Sequence, residues 1–322
     1  MRNHPSNLLR RWVRQAALTA GLTAASGAGF PLRVPAQAVA TNSGKLTQVE
    51  NAAFQPIDEK IQQWVTKGYY PGAGLLVAQN GRVLYEKCYG TYTPKTVVYI
   101  ASAGKWLVAA TIAALVDEGQ LSWDDKVVKY LPTWTDTKGQ ATLRQLLSHT
   151  AGYPDYQPKG NPRDDYQTLA ESVTNMQPLP AVDTPGTRFR YGGLAMQVAG
   201  RMAELATGKD WESLFQEKIA RPLAMSSTHF TPVDLGGGHS PMLGGGARST
   251  LPDYAHFLDM LSHNGQYRGR QVLSAKAVAE MQADQVGAAE VQAHEFVEEV
   301  RGNTHRSVYG LGEWREELDA QG

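Results

Sequence analysis

The sequence predicts an α+β protein, and three features carry that expectation: a β-hairpin near the N-terminus, a long run of helical patterns after it, and a strand-like segment near residue 310. The hairpin is written in Gly72–Gln79 and Arg82–Tyr89, joined by Asn80-Gly81, a dipeptide suited to a turn needing positive φ at both centres. Among the helical patterns, Ala103–Val116 is apolar on nearly every face, so it belongs inside a core. The late segment, Ser307–Glu316, places Val308, Tyr309, Leu311 and Trp314 in one expected strand.

Taken in order, Phe54, Ile57, Ile61, Trp64 and Val65 fall at helical spacing, and Gly68 closes that run. After the hairpin, Thr96–Ile100 is an expected third strand leading into Ser102, and Gly119 is a fitting C′ residue for the buried helix. Leu121–Pro132 has the composition of a turn-rich surface connection. Short helices are expected at Thr142–Leu147 and near Tyr166–Asn175. An amphipathic helix follows, with Leu194, Val198, Met202 and Leu205 on its stripe, and another over Trp211–Ile219 behind the N-cap Asp210. Helices at Leu251–Leu261 and Ser274–Met281 complete the pattern.

The chemistry begins at Ala101-Ser102-Ala103-Gly104-Lys105. Residues three apart share a helix face, so Ser102 and Lys105 can touch. Lys105 is the only charged side chain from Ala103 to Val116, which places a cation in a desolvated helix start. A cation in the first turn also opposes the helix dipole, by about 0.3–1 kcal/mol when exposed. Both effects favour the neutral amine, which can accept the proton of a serine hydroxyl. This is the S-x-x-K arrangement of active-site-serine enzymes.

Other features point away from alternative chemistries. Composition is 42% hydrophobic and 19% charged, ordinary for a globular chain and unlike a disordered one. Residues 1–40 carry five arginines and no acid, so without them 26 basic residues face 31 acidic ones, and no basic stripe for nucleic acid remains. That segment has the order of an export signal: basic to Arg14, weakly apolar from Ala16 to Phe30, then small residues around Ala38 and Ala40. Arg10-Arg11 admits a twin-arginine route. A periplasmic or secreted protein with no integral membrane segment after processing is the expectation.

Cys88, the single cysteine, fits a small core side chain in a strand. Gly236–Gly238 and Gly244–Gly246 lack the following Gly-Lys-Ser/Thr of a phosphate loop and are expected as flexible backbone near a cleft. His294-Glu295-Phe296-Val297-Glu298 lacks the second histidine of a zinc helix, leaving a solvated acidic helix. His149 precedes a Gly/Pro turn and fits a structural hydrogen bonder. No cofactor or metal is expected.

Together, Ala101–Trp106, Leu146-Leu147-Ser148-His149-Thr150-Ala151-Gly152, Phe189-Arg190-Tyr191, Arg221–Met225 and Ser249–Ala255 resemble the serine β-lactamase and penicillin-binding superfamily, in particular its class C β-lactamase and esterase-like branch. The resemblance covers roughly residues 52–316. It implies a β-lactamase/transpeptidase-like fold over residues 41–322: an antiparallel sheet of the N-terminal hairpin and C-terminal strands, flanked by helices, beside an all-helical lobe of roughly residues 106–250. It further implies Ser102 as nucleophile, Lys105 as its base and Tyr191 as a proton-sharing partner, with a small ester, amide or β-lactam as substrate.

Three departures qualify it. Gly104 replaces a common threonine and is expected to loosen the first helical turn. Gly193 stands where Y-x-N would carry an asparagine amide, which favours small esters or amides over β-lactams and cell-wall peptides. The Lys- or His-x-Gly element of a late strand is missing, since His263-Asn264-Gly265 lies between helices, and the chain is expected to be a C-terminally truncated form of a longer hydrolase. Two classes of function follow: an esterase-like serine hydrolase, with β-lactamase or D-Ala-D-Ala carboxypeptidase as alternatives, and a penicillin- or peptide-binding protein with impaired turnover.

Overall fold

A computed structural model describes residues 48–154, 168–230, 242–291 and 306–317. The expected export segment, Gly236–Gly238 and His294–Glu298 lie outside the described residues.

Helix α1 (Gln48–Thr66) lies along a hairpin of β1 (Gly72–Gln79) and β2 (Arg82–Gly90). It is fastened there by stacking of Phe54 on Tyr85, at 4.7 Å between ring centres, and by Asp58, which accepts from Lys87 Nζ at 2.5 Å. The hairpin turns as its sequence demands, with φ of 52° at Asn80 and 71° at Gly81. Cys88 is half-buried in β2, and burial pushes its thiol up from the ordinary range.

Strand β3 is shorter than expected, Val98–Tyr99, because it pairs only with β5 (Arg248–Ser249). A 3-10 turn, Ala101–Ala103, then opens α2 (Gly104–Asp117). Leu107, Val108, Ile112 and Leu115 of α2 are all fully buried, each worth roughly 1.5–3 kcal/mol of transfer from water. Gly119, at φ 71°, ends the helix.

Around α2 stand α3 (Val127–Tyr130), α4 (Leu143–Leu147), α5 (Leu169–Met176), α6 (Leu194–Thr207) and α7 (Trp211–Phe215), the last continuing as a π turn over Gln216–Ala220. Asp210 caps α7 through Ser213 N–H at 2.9 Å, and Thr142 and Gln145 close a capping box on α4. Leu205 leaves the expected stripe of α6 and is exposed, one turn before Gly208. Leu121–Pro132 is not a surface connection. Leu121, Trp123 and Val127 are buried, because the backbone of residues 123–127 bonds to residues 141–144, Leu143 N–H to Asp125 O at 2.9 Å among them.

Helix α8 (Leu251–Ser262), capped by Thr250, leads into a small hairpin of β6 (Gln266–Tyr267) and β7 (Arg270–Gln271), then α9 (Ala275–Gln282) behind its cap Ser274. Strand β4 (Arg188–Phe189) runs parallel to β8 (Glu290–Val291). The expected single strand at 307–316 is a hairpin instead, β9 (Arg306–Tyr309) and β10 (Trp314–Glu317). Gly312, at φ 80°, reverses the chain there. Since β9 bonds to β10, the strands of the described residues form five separate pairs, and β9–β10 is not hydrogen-bonded to the N-terminal hairpin as a single sheet would require. No helix among the described residues is long and apolar enough to cross a membrane.

Candidate active site

The turn carrying Ser102 is strapped to its surroundings on three sides. Ile100 N–H donates to Ala247 O at 3.0 Å, β3 pairs with β5, and Tyr254 Oη donates to Ala103 O at 3.1 Å. These contacts hold Ala101 at φ 47°, a left-handed conformation costing an alanine roughly 1–2 kcal/mol. The result is an exposed serine at the mouth of a buried helix.

Behind it, Lys105 is only 3% exposed. Its Nζ donates to Ser102 Oγ at 3.1 Å and makes a short hydrogen bond to Gly244 O. No carboxylate is paired with it among the described residues, and burial lowers its pKa from 10.5 to about 8. At pH 7 about a tenth of such a group is free amine, and the fraction grows steeply with pH. In that form Nζ can keep Gly244 O as acceptor while its lone pair takes the Ser102 proton.

Gly104 sits beneath Ala247. A Cβ at this position would stand 2.7 Å from Ala247 Cβ, so glycine lets the strap close over the helix start. Gly312 meets the other side, where an added Cβ would lie 2.5 Å from Lys105 O.

Tyr191 lies half-buried between β4 and α6, with Lys105 Nζ 4.8 Å from its ring centre. The structure thus brings Ser102, Lys105 and Tyr191 together. Its ring stacks on Trp314 at 5.4 Å and leans on His149 at 4.7 Å. His149, 2% exposed, shares a hydrogen bond of 3.1 Å between Nε2 and Tyr309 Oη, in keeping with a structural hydrogen bonder. Burial, and after it the Lys105 charge, lowers the His149 pKa well below the usual value, so the imidazole is neutral.

Sequence reasoning missed Gly244, Tyr254, Tyr309, Glu313 and Trp314 at this site. The glycine triplet at 244–246 was placed near a cleft, but nothing local marks which carbonyl meets the lysine. Glu313, in the β9–β10 turn, keeps Oε1 buried with no partner among the described residues, and burial raises its carboxyl to about 8. His263-Asn264-Gly265 sits where α8 ends, with the His263 ring beside the β1–β2 turn at Gly81, so it belongs to that tip. An open groove of about 670 Å³ lies among Lys126, Asp136, Gln140 and Thr184, and none of its lining residues belongs to the Ser102 cluster. Among the described residues no group of three or more His, Cys, Asp or Glu is placed to hold a metal ion.

A family model described as Beta-lactamase matches residues 57–314, about four-fifths of the chain and all of the cluster above. The chain belongs to the Beta-lactamase family. Within it, the chain is similar to the crystal structure titled "putative beta-lactamase" from Bacteroides dorei DSM 17855, at 54% identity and TM-score 0.78 over 83% of this chain and 80% of that one. It shares its fold with EstCE1, a hydrolase with promiscuous acyltransferase activity, at 22% identity and TM-score 0.68 over 85% of both chains. It is also similar to the "Putative D-alanyl-D-alanine carboxypeptidase" of Escherichia coli (strain K12), 28% identical over 204 residues, 55% of this chain and 47% of that relative. The chain spans less than half the length of the curated relatives it matches. These Beta-lactamase neighbours agree with the α+β, β-lactamase/transpeptidase-like expectation.

Proposed function

We propose that this chain is a serine hydrolase cleaving a small ester or amide through an acyl-enzyme on Ser102. The observation that carries this is an exposed Ser102 Oγ 3.1 Å from the amine of a buried lysine that lacks a carboxylate partner among the described residues.

In the proposed cycle neutral Lys105 takes the Ser102 proton as Oγ bonds to the substrate carbonyl carbon. The oxyanion forms beside Ser102 N–H, which as the second residue of its turn has no intrahelical acceptor. Collapse breaks the bond to the alcohol or amine, which leaves with the proton held between Lys105 and Tyr191. Water then attacks the acyl carbonyl, gives its proton to the same pair, and the acid departs from the restored serine. Lys105 Nζ stands 4.8 Å from the Tyr191 ring centre, so the two residues together serve as the acid/base unit of this proposal.

Gly193 supports esters or simple amides over β-lactams, because no side-chain amide stands there to hold an acylamino carbonyl. The Tyr191 and Trp314 rings add an apolar wall beside the cluster. The N-terminal arginines and small residues support export to the periplasm or medium, and N-terminal sequencing of exported protein checks that separately.

The function is tested with a fluorophosphonate label and two substrates. Wild-type protein is expected to label covalently and to cleave p-nitrophenyl acetate faster than the cephalosporin nitrocefin. Absence of labelling and turnover supports the penicillin- or peptide-binding alternative, and faster nitrocefin cleavage reverses the substrate preference.

A further inference from the structure

We propose that His149 and Tyr309 are positioning residues that set the Tyr191 phenol against Lys105, a role that rests on the assignment of Tyr191 to the acid/base pair. Both ends of Tyr191 are referenced to His149. On the backbone side, Arg190 N–H, one residue before Tyr191, donates to His149 O at 2.8 Å. On the side-chain side, the imidazole lies 4.7 Å from the Tyr191 ring, tilted by 54°.

His149 is itself over-determined. Its backbone is left-handed, at φ 59°, which an L-residue other than glycine rarely adopts. Phe189 meets its ring edge-on at 6.0 Å, and Tyr309, 1% exposed, holds it by the Nε2 hydrogen bond with ring centres 4.9 Å apart. The other nitrogen, Nδ1, is buried without a partner among the described residues. A hydrocarbon side chain would avoid the unpaired Nδ1 but would leave the buried Tyr309 hydroxyl without this partner. The imidazole instead supplies an acceptor or donor to Tyr309, and so ties the turn after α4, to which Arg190 is bonded, to the C-terminal hairpin. Trp314 of the same hairpin stacks on Tyr191 and stands edge-on to Tyr309 at 4.9 Å.

The tie is uncharged. Burial drives the Tyr309 phenol well above its usual pKa and keeps its proton in place, while His149 is neutral for the reason given above. A neutral pair fixes orientation without adding charge beside Lys105, which separates positioning from acid/base chemistry.

The test is a double-mutant cycle on the full chain, read as kcat and KM for p-nitrophenyl acetate with folding checked by near-ultraviolet circular dichroism. Tyr309→Phe keeps the ring and removes only the hydroxyl. It is expected to lower kcat about tenfold with KM unchanged, since small misplacements of a reacting group cost up to about a hundredfold. His149→Asn tolerates the left-handed backbone and removes the ring, with a larger loss of kcat expected. In a Tyr191→Phe background both losses should disappear, because nothing is left to position. Losses that persist undiminished beside Tyr191→Phe, or a Tyr309→Phe protein with wild-type kcat, overturn the proposal. Full turnover by Tyr191→Phe alone overturns the assignment of Tyr191 and this role with it, an outcome distinct from the other two. Should His149→Asn fail to fold, Tyr309→Phe carries the cycle.

Discussion

Two buried lysines, 33 positions apart in the sequence, show what burial does and does not create. Lys138 is as enclosed as Lys105, with its side chain 3% exposed, but its ammonium meets Asp136 Oδ2 at 2.6 Å, Leu179 O at 2.6 Å and Gln177 O at 3.0 Å. Three donors find three acceptors, one of them a carboxylate. Lys138 therefore works as a charged cross-link between the loop before α4 and the end of α5. Lys105 has a carbonyl and a hydroxyl in place of a carboxylate, so its enclosure favours loss of a proton. The partner, more than the depth, separates a strut from a base.

Exchanging each lysine for methionine should pull the two roles apart. Lys105→Met is expected to lower fluorophosphonate labelling and ester turnover by about 10²–10⁴-fold, the range for a lost acid/base group. Labelling at the wild-type rate would sink the assignment of the base. Lys138→Met should leave kcat per folded molecule near wild type and lower stability to urea by about 1–3 kcal/mol, because Asp136 and two carbonyls lose their donor. Retained stability there would mean that the cross-link is dispensable.

The contrast also appears in pH dependence. With a Lys105 pKa of about 8, kcat/KM for an ester should rise with pH through about 8 and level off above it. The folded chain binds fewer protons than the unfolded one between about 8 and 10.5, so stability should rise with pH across that window, and Lys105→Met should remove the rise. An effect of opposite sign concerns Glu313, whose carboxyl is raised from 4.5 to about 8. Between those values the folded state holds the extra proton, so its contribution is present at low pH and is lost as pH climbs. Glu313→Gln should accordingly raise Tm more at pH 8 than at pH 5, and an equal change at both would show that the carboxyl does not titrate between them.

The parts of the fold and site that are legible from local pattern alone are those encoded within one turn or one element, whereas Tyr191 is legible only through the resemblance. Ser102 and Lys105 share a helix face, Asn80-Gly81 announces its own turn, and Asp210 precedes its helix. What escaped depends on long-range pairing. Gly244 O reaches Lys105 across 139 positions, and Tyr309 reaches His149 across 160, so neither residue carries a local mark. Ser307–Glu316 has the apolar spacing of a single strand, while the reversal at Gly310–Gly312 depends on backbone packing against Lys105 and Met281 that no periodicity records. Leu121–Pro132 reads as a surface connection for the same reason: Asp124, Asp125 and Pro132 describe turns, and its burial comes from bonds to residues 141–144.

The bare surface at Gly193 has a meaning for descent. Its backbone, at φ −108° and ψ −29°, is open to any amino acid, and a Cβ there would stand 3.9 Å from Gly244 Cα, an ordinary contact. Gly244 is different, since a Cβ added to it would press on Gly193 Cα at 2.9 Å while its carbonyl holds Lys105. One glycine is thus a fixed piece of the machine, and its neighbour a vacant position that selection can fill or clear without rebuilding anything around it. A single replacement at Gly193 would therefore add a side chain facing Gly244 while the backbone carbonyl that holds Lys105 stays where it is.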